Sequence, residues 1–290
     1  MTDVFAGYDQ DGLDSQYNLR PLVPHHPKIF ERYIRDSALV VERYPATLDV
    51  AYGDQPGERL DIFHAAASDG RAPIVVFIHG GYWRNKDKSD YRYLAPAFVE
   101  AGVSFVPLNY TLAPHASMDE IVRQNRAALA WLSANVADHG GDPDRIHITG
   151  HSAGGHLVAM LMATDWMAVA GRPDVIAGAS AISGLFDLEP IQKCYLNETL
   201  GLDSEGAERN SPVHLTPTQD IPLILSLGGE ETIEYHRQQD VFEAAWSEVL
   251  SDVSTVEMLG LTHYDVIDHL GHPGSGLYQA VMAQVRGSAS

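Results

Sequence analysis

The sequence is poor in cysteine, in cationic side chains and in long apolar runs, and each shortage excludes a class of protein. Its 290 residues contain one cysteine, Cys194, so no disulfide can form within the chain and a reducing compartment is expected. No apolar stretch approaches the ~18 residues that span a bilayer. The first residues lack the basic segment and apolar run of a secretory signal. We therefore expect a cytoplasmic protein without a membrane partner.

Cationic residues number 19 against 39 acidic ones, which gives a formal net charge of −20. This charge repels the phosphates of nucleic acids, so we expect no nucleic-acid partner. The expected partner is a small-molecule substrate, and a homodimer is a reasonable expectation for the assembly. No glycine-rich phosphate loop is present, and His147 and His151 flank a strand and a turn rather than lying on one helix face. We therefore expect no cofactor and no metal.

Strand and helix patterns alternate along most of the chain. Hydrophobic residues make up 45% of it, enough for a large core. The predicted strands, besides the short β-branched run that begins at Arg145, are 47–52, 59–64, 73–79, 103–110, 176–182, 222–227 and 254–259. The predicted helices are 27–37, 94–101, 118–135, the run after residue 155, 235–250 and 276–285. This order predicts an α/β fold in which helices cover both faces of a mostly parallel sheet, with ligands beyond the carboxyl ends of the strands.

No linker divides the chain, so residues 1–290 are expected to form a single domain. Residues 1–43 are expected to form a helical N-terminal arm, with 27–37 as its best helical stretch. Residues 185–218 fit the alternating pattern poorly and contain Pro190, Pro212 and Pro217. We interpret this segment as a lid-like insertion over the site.

The nucleophile candidate is Ser152 in Gly150-His-Ser-Ala-Gly154. A β-branched run precedes these residues and a helix-forming run follows them, which is the context in which Gly-x-Ser-x-Gly forms a nucleophile elbow. The glycines allow the strand and the helix to pack closely around a strained turn that exposes the serine.

A serine hydroxyl needs a base, and the base needs an orienting carboxylate. His263 directly follows the last predicted strand, where the base of such a fold must lie. After residues 222–227 two carboxylates compete for the role of acid, and we prefer Glu231 to Glu230 because it lies three residues past Gly228. Asp265 remains an alternative.

A tetrahedral intermediate also needs an oxyanion hole. Residues 79–83, His-Gly-Gly-Tyr-Trp, follow a predicted buried strand, and glycines there let backbone N–H groups point inward. We assign the donors to the backbone of Gly81, Tyr82 and Ala153. His79 is interpreted as a brace of the loop.

These motifs resemble the arylformamidases, or kynurenine formamidases, of the α/β-hydrolase fold. The resemblance runs from about Tyr44 to about Leu270. It is carried by the segments 79–83, 150–157, 183–190, 208–212, 234–238 and 263–267. Carried across, the family triad falls on Ser152, Glu231 and His263, although the vertebrate-type members have aspartate where this chain has Glu231. The resemblance implies metal-free hydrolysis of N-formyl-L-kynurenine to kynurenine and formate.

Aromatic residues near these motifs are compatible with an aryl substrate. The candidates for the walls of the substrate site are Tyr82, Trp83, Phe186, Tyr195, Tyr235 and Tyr264. The alternative function is that of a carboxylesterase acting on small acyl or aryl esters. A catalytically silent binding protein is disfavoured, because every triad candidate is present.

Overall fold

The computed structural model describes residues 3–65 and 70–287, in which eight strands form one sheet. The strands are β1 Ala46–Ala51, β2 Arg59–Phe63, β3 Ala72–Ile78, β4 Ser104–Leu108, β5 Gly141–His151, β6 Gly178–Ile182, β7 Leu223–Gly228 and β8 Val253–Met258. Their order across the sheet is β1-β2-β4-β3-β5-β6-β7-β8. Strand β2 is antiparallel to both of its neighbours and all the other pairs are parallel. The predicted fold class is confirmed.

Alternating side chains of the central strands enter two hydrophobic cores. In β3, Ile74, Val76 and Ile78 point into one core, while Val75 and Phe77 point into the other. Successive side chains of a strand leave opposite faces, so a strand that is buried on both sides must be apolar throughout. This explains the unbroken apolar run from which the strand was predicted.

Eleven helices lie in the described part of the chain and cover both faces. They are α1 Gln10–Tyr17, α2 His26–Arg43, α3 Ala95–Val99, α4 Met118–Asn135, α5 Ala153–Met162, α6 Trp166–Ala170, α7 Glu189–Lys193, α8 Asn197–Leu200, α9 Ser204–Arg209, α10 Ile233–Ser247 and α11 Gly276–Gly287. Helices α1, α4, α5 and α10 pack in the first core, and α2, α3 and α11 in the second. Within residues 3–65 and 70–287, none of the helices has both the length and the apolar character needed to cross a bilayer.

The register of the sheet brings the ends of its central strands to one edge. Ile78 at the end of β3 pairs with Gly150 of β5, and His151 pairs with Ile182 at the end of β6. Ile182 in turn pairs with Ser226 of β7. The segments that follow these strands therefore meet at the edge where ligands bind in such sheets.

In its described residues, the N-terminal arm has one helix outside the predicted stretch 27–37. Helix α1 begins after Asp9, whose carboxylate accepts a hydrogen bond from Gly12 N at 2.9 Å. Gly12 lowers its intrinsic helix propensity, but Leu13 and Tyr17, one turn apart, are fully buried. Tertiary packing therefore stabilises a helix that its local sequence favours only weakly. The other arm helix, α2, runs six residues beyond the predicted stretch, to Arg43.

Residues 185–218 contain the short helices α7, α8 and α9 and are fastened to the rest of the fold. Arg209 forms an ion pair with Asp119 of α4 at 2.8 Å. The side chain of Gln238 in α10 accepts hydrogen bonds from the backbone N–H groups of Phe186 and Asp187, both at 2.7 Å. The segment is thus held to helix α4 at Arg209 and to helix α10 at residues 186 and 187.

Candidate active site

Ser152 lies at the tight turn between β5 and α5. Its backbone has φ 57° and ψ −119°, in the region that side chains other than glycine rarely adopt. A Cβ atom at Gly154 would overlap the carbonyl oxygen of Ile78, so only glycine allows β3 to approach the start of α5 this closely. The strained turn is the geometry of a nucleophile elbow, and Ser152 lines a cavity at the edge of the sheet.

The structure brings Glu231 and His263 together. Glu231 Oε2 lies 2.6 Å from His263 Nδ1, and both side chains are nearly inaccessible to solvent. The other carboxylate oxygen accepts hydrogen bonds from Gly228 N at 2.9 Å and from Ser183 Oγ at 2.5 Å. These contacts fix the carboxylate on the Nδ1 side of the imidazole ring, which leaves Nε2 to act on the substrate side.

The two alternative carboxylates point elsewhere. Glu230 is exposed, and its backbone N–H donates to the carbonyl of Leu261. Asp265 accepts a hydrogen bond from the hydroxyl of Thr262 at 2.5 Å. The geometry therefore favours Glu231, the carboxylate preferred from its spacing.

Two rings hold the imidazole of His263 in place. The ring of His151 lies 4.5 Å from it and that of Tyr235 lies 4.7 Å from it, measured between centroids. His151 Nε2 lies 2.9 Å from the carbonyl oxygen of His263. Burial, followed by the nearby His263, holds the pKa of His151 well below its usual range. His151 is thus a neutral ring that donates to the backbone of the base, a role that sequence reasoning missed.

A chain of hydroxyl groups leads away from the nucleophile. The Tyr235 hydroxyl donates to the Tyr82 hydroxyl at 2.9 Å and lies close to Ser152. The Tyr82 hydroxyl donates to the carbonyl of Tyr17 at 2.7 Å. Burial raises the pKa of Tyr235 well above its usual range, so this phenol remains protonated. Tyr235 was expected to be a wall residue of the substrate site. It does not line the cavity, and its hydroxyl belongs instead to this chain of hydroxyl groups.

The loop after β3 has the backbone expected of an oxyanion hole. Gly81 has φ +105°, and its Cβ would overlap the backbone of Asn85. Tyr82 and Trp83 follow with φ of 52° and 55°. Within residues 3–65 and 70–287, the backbone N–H groups of Gly81, Tyr82 and Ala153 donate to no protein acceptor. Donors without internal partners beside Ser152 are available to an oxyanion.

His79 braces the base of this loop. Its ring stacks on Tyr110 with centroids 4.5 Å apart, and its Nδ1 lies 2.8 Å from the carbonyl oxygen of Gly80. Burial lowers its pKa, so the ring is neutral. These contacts are those of a structural side chain, as expected.

The cavity beside Ser152 and His263 measures about 180 Å³. An engineered cavity of ~150 Å³ holds benzene, so this one has room for a single aromatic ring. Tyr82, Tyr195 and Tyr264, three of the candidate wall residues, line it.

Two expected wall residues are instead part of the core. The Trp83 indole N–H donates to His156 Nδ1 at 3.2 Å, and the ring of Phe186 stacks on Phe242 with centroids 3.9 Å apart. Both side chains are almost fully buried and neither lines the cavity. Trp83 and Phe186 are close to the motifs in sequence because they pack in the core near the site. They were expected to contact the substrate, and they do not line its cavity.

The N-terminal arm supplies much of the wall that residues 185–218 were expected to supply. Of that segment, only Tyr195 lines the cavity within the described residues. The arm contributes Tyr17, Asn18, Leu19, Arg20, Phe30 and Tyr33. Sequence patterns could not reveal this, because the arm contacts the site through residues that are distant in the chain. The Tyr33 hydroxyl, for example, donates at 2.7 Å to the carbonyl of Tyr264, which is 231 residues away.

This sheet carries a serine at an elbow, a histidine paired with a carboxylate, and a loop whose backbone N–H groups have no internal acceptor among the described residues. Together these features define an α/β-hydrolase-fold hydrolase. A solved structure from Silicibacter sp. tm1040, described provisionally as a thioesterase, superposes with a TM-score of 0.82 and 27% identity over 93% of this chain and 98% of that one. Esterase B of Lactobacillus rhamnosis superposes with a TM-score of 0.70 at 20% identity, over 92% of this chain and 96% of that one.

Sequence comparison identifies the family. The family model described as BD-FAE matches residues 60–172. Kynurenine formamidase of Salmo salar is 32% identical over 229 residues, which cover 77% of this chain and 76% of that protein. Kynurenine formamidase of Danio rerio is 31% identical over 77% of this chain and 76% of that one. The chain belongs to the kynurenine formamidase family.

Proposed function

We propose that this protein hydrolyses an aryl formamide, N-formyl-L-kynurenine, to L-kynurenine and formate. The observation that carries the proposal is the Glu231–His263 pair beside Ser152, at a cavity of single-ring size with tyrosine walls. The similarity to proteins named kynurenine formamidase supports the choice of substrate.

In the proposed first step Ser152 Oγ attacks the formyl carbon while His263 Nε2 takes the hydroxyl proton. Glu231 keeps the proton of His263 on Nδ1 and stabilises the imidazolium that forms. The carbonyl oxygen becomes an oxyanion that accepts hydrogen bonds from the N–H groups of Gly81, Tyr82 and Ala153. One such donor lowers the barrier by ~3 kcal/mol.

In the second step the C–N bond breaks and His263 returns the proton to the departing arylamine nitrogen. This leaves a formyl ester on Ser152. Water then attacks the ester carbon and gives a proton to His263 Nε2. The Ser152 oxygen leaves and takes that proton back, which releases formate and restores the enzyme.

A carboxylesterase that uses the same residues is the second candidate. Esterase LipQ of Mycobacterium tuberculosis is 29% identical over 77% of this chain and 55% of that protein. Esters need the same nucleophile and oxyanion hole but less help from the acid, because an alkoxide or phenoxide leaves more readily than an unprotonated amide anion.

The test is kcat/KM for purified protein on N-formyl-L-kynurenine beside p-nitrophenyl acetate, with Ser152→Ala as the blank. We expect formamide hydrolysis above ~10⁴ M⁻¹s⁻¹ that the substitution abolishes. A formamide turnover 100-fold less efficient than ester turnover would leave the esterase as the function. No turnover of either, with no fluorophosphonate labelling of Ser152, would contradict both.

A cytoplasmic location is part of the same proposal. The lone Cys194 is buried, and burial raises the pKa of its thiol to about 12, so it is kept as an unreactive side chain. Fractionation of the native host with an antibody against the protein tests this location.

A further inference from the structure

Helix α2 of the N-terminal arm contacts the backbone of the segment that carries the proposed base. His263 and Tyr264 follow strand β8, and a short 3₁₀ helix, Val266–Gly271, comes next. The Tyr33 hydroxyl of α2 donates to the carbonyl oxygen of Tyr264 at 2.7 Å. The contact therefore falls on the residue directly after the base, and the arm does more than line the cavity.

Two consecutive carbonyl groups of this segment are held by two different elements. His151, the last residue of β5, has its Nε2 2.9 Å from the carbonyl oxygen of His263. Tyr33 of the arm binds the carbonyl oxygen of Tyr264. Each peptide group is planar, so a bond to its carbonyl restrains the whole unit. The two contacts together restrain the backbone from which the imidazole of His263 projects toward Ser152.

Tyr33 is itself held in one position. Its side chain is 2% exposed, and its ring stacks on that of Tyr93 with centroids 4.5 Å apart. The preceding residue, Arg32, forms an ion pair with Asp268 of the 3₁₀ helix. The other carboxylate oxygen of Asp268 accepts a hydrogen bond from the Tyr93 hydroxyl at 3.0 Å. Helix α2 is therefore fastened at two points to the segment that follows the base.

The hydroxyl of Tyr33 has a use that packing alone does not require. A phenylalanine would fill the same space beside Tyr93, whereas a buried phenol must find a hydrogen-bond acceptor to offset its desolvation. Burial also raises the pKa of Tyr33 well above its usual range, so the phenol stays protonated and can donate. The acceptor that it binds is the backbone of the base segment.

We propose that Tyr33 is a positioning residue for the base, whose hydroxyl, together with Arg32 acting through Asp268, keeps His263 aligned with Glu231 and Ser152. A displacement of ~1 Å at a reacting group can cost about 100-fold in rate. The N-terminal arm is then part of the catalytic apparatus as well as a wall of the cavity. The inference rests on the proposed catalytic residues and does not depend on which substrate is hydrolysed.

The test is Tyr33→Phe, which keeps the ring and removes the hydroxyl. We expect kcat on p-nitrophenyl acetate to fall about tenfold with KM changed less than about twofold, and inactivation of Ser152 by a small fluorophosphonate to slow by the same factor. Tyr33 also lines the cavity, so a contact with the substrate must be distinguished from positioning. A loss confined to KM, or one seen with an aryl formamide but not with the small ester, overturns the proposal.

The matched control is Tyr44→Phe, which makes the same change directly after α2, where the hydroxyl contacts Glu100. We expect it to leave kcat and the inactivation rate unchanged. The spectroscopic signature is the far-downfield ¹H NMR signal of the His263 Nδ1 proton, which lies between that nitrogen and Glu231 Oε2, 2.6 Å apart. Tyr33→Phe should shift or broaden this signal, and Tyr44→Phe should not.

Asp268→Asn is an independent variant that weakens the ion pair with Arg32 and keeps the size of the side chain. We expect it to lower kcat about threefold in the same assays. It keeps the test decisive if Tyr33→Phe does not fold. Unchanged kcat, inactivation rate and NMR signal in the folded variants overturn the positioning role. An inactive wild type whose Ser152 is not labelled overturns the proposed catalytic residues instead.

Discussion

The substitution Glu231→Gln replaces one carboxylate oxygen of the proposed acid by an NH₂ group. It therefore tests whether that carboxylate sets the protonation of His263. The carboxylate has three partners: Gly228 N and Ser183 Oγ on one oxygen, and His263 Nδ1 on the other. In the glutamine variant the amide oxygen must face the N–H and hydroxyl donors, because an amide NH₂ there would meet the Gly228 N–H. The NH₂ group then faces His263 Nδ1, 2.6 Å from the carboxylate oxygen in the wild type.

This reversal selects the wrong tautomer of the base. An amide donor at Nδ1 requires an acceptor there, so the His263 proton moves to Nε2 and the ring cannot take the proton of Ser152. Loss of the correct tautomer lowers kcat by about 10⁴-fold in serine hydrolases, or about 5.5 kcal/mol in the barrier. The side-chain volume and the other two hydrogen bonds are retained, so we expect the fold to be kept.

The matched control is Glu230→Gln, which makes the same chemical change one residue earlier on an exposed side chain. The assay is kcat on N-formyl-L-kynurenine and on p-nitrophenyl acetate, with thermal unfolding measured for each variant. We expect a loss of about 10⁴-fold for Glu231→Gln and less than twofold for Glu230→Gln. A Glu231→Gln enzyme that keeps a tenth of the wild-type kcat would refute the tautomer argument. A loss in Glu230→Gln without one in Glu231→Gln would show that the acid is assigned to the wrong carboxylate.

Three further predictions concern stability and the second layer of the site. Asp61→Ala removes a fully buried partner that lies 2.7 Å from the ammonium of Lys88, so urea unfolding should show a loss of about 3–5 kcal/mol. Asp49→Asn, at a partner of the same lysine that is 70% exposed, should cost less than ~1 kcal/mol, and equal losses would contradict the argument. Burial lowers the pKa of His156 to about 4 from the ordinary 6.5, so the unfolded chain binds more protons than the folded one between these values. The wild type should therefore lose about 2 kcal/mol of stability through this group between pH 7 and pH 5. His156→Gln, which keeps one acceptor and one donor, should have a shallower slope, and parallel slopes would argue against it. Tyr235→Phe removes a hydroxyl that lies close to Ser152 and donates to the Tyr82 hydroxyl, and it should lower kcat about tenfold with little change in KM. An unchanged kcat would show that the hydroxyl only fills space.

The elements that carry the chemistry could be predicted from local sequence. The buried strand before His79, the elbow at Ser152 and the loop that holds His263 depend on patterns a few residues long. Such patterns report whether a strand is buried on both faces and where a tight turn requires glycine. The parallel order of the strands then requires their carboxyl ends to meet, so the serine, acid and base are expected at one edge before any coordinate is known.

The surroundings of these residues depended on the tertiary structure. Glu230 and Glu231 are neighbours with the same side chain, and only the folded turn decides which carboxylate faces His263 and which faces solvent. Trp83 and Phe186 are aromatic residues of the kind that line binding cavities. They pack in the core instead, because the surrounding helices and strands leave room for them there.

The N-terminal arm shows the physical reason most clearly. No local pattern links Tyr17 with Tyr82 or Arg20 with Lys86, yet the arm brings them together across the cavity. Contacts between residues distant in the chain are selected by how whole helices pack on the sheet, and amphipathic periodicity shows only that a helix has a face to bury. The sequence by itself therefore determined the fold and the order of the reacting groups, whereas the charge and shape of the space for the substrate were decided by the packing of the arm.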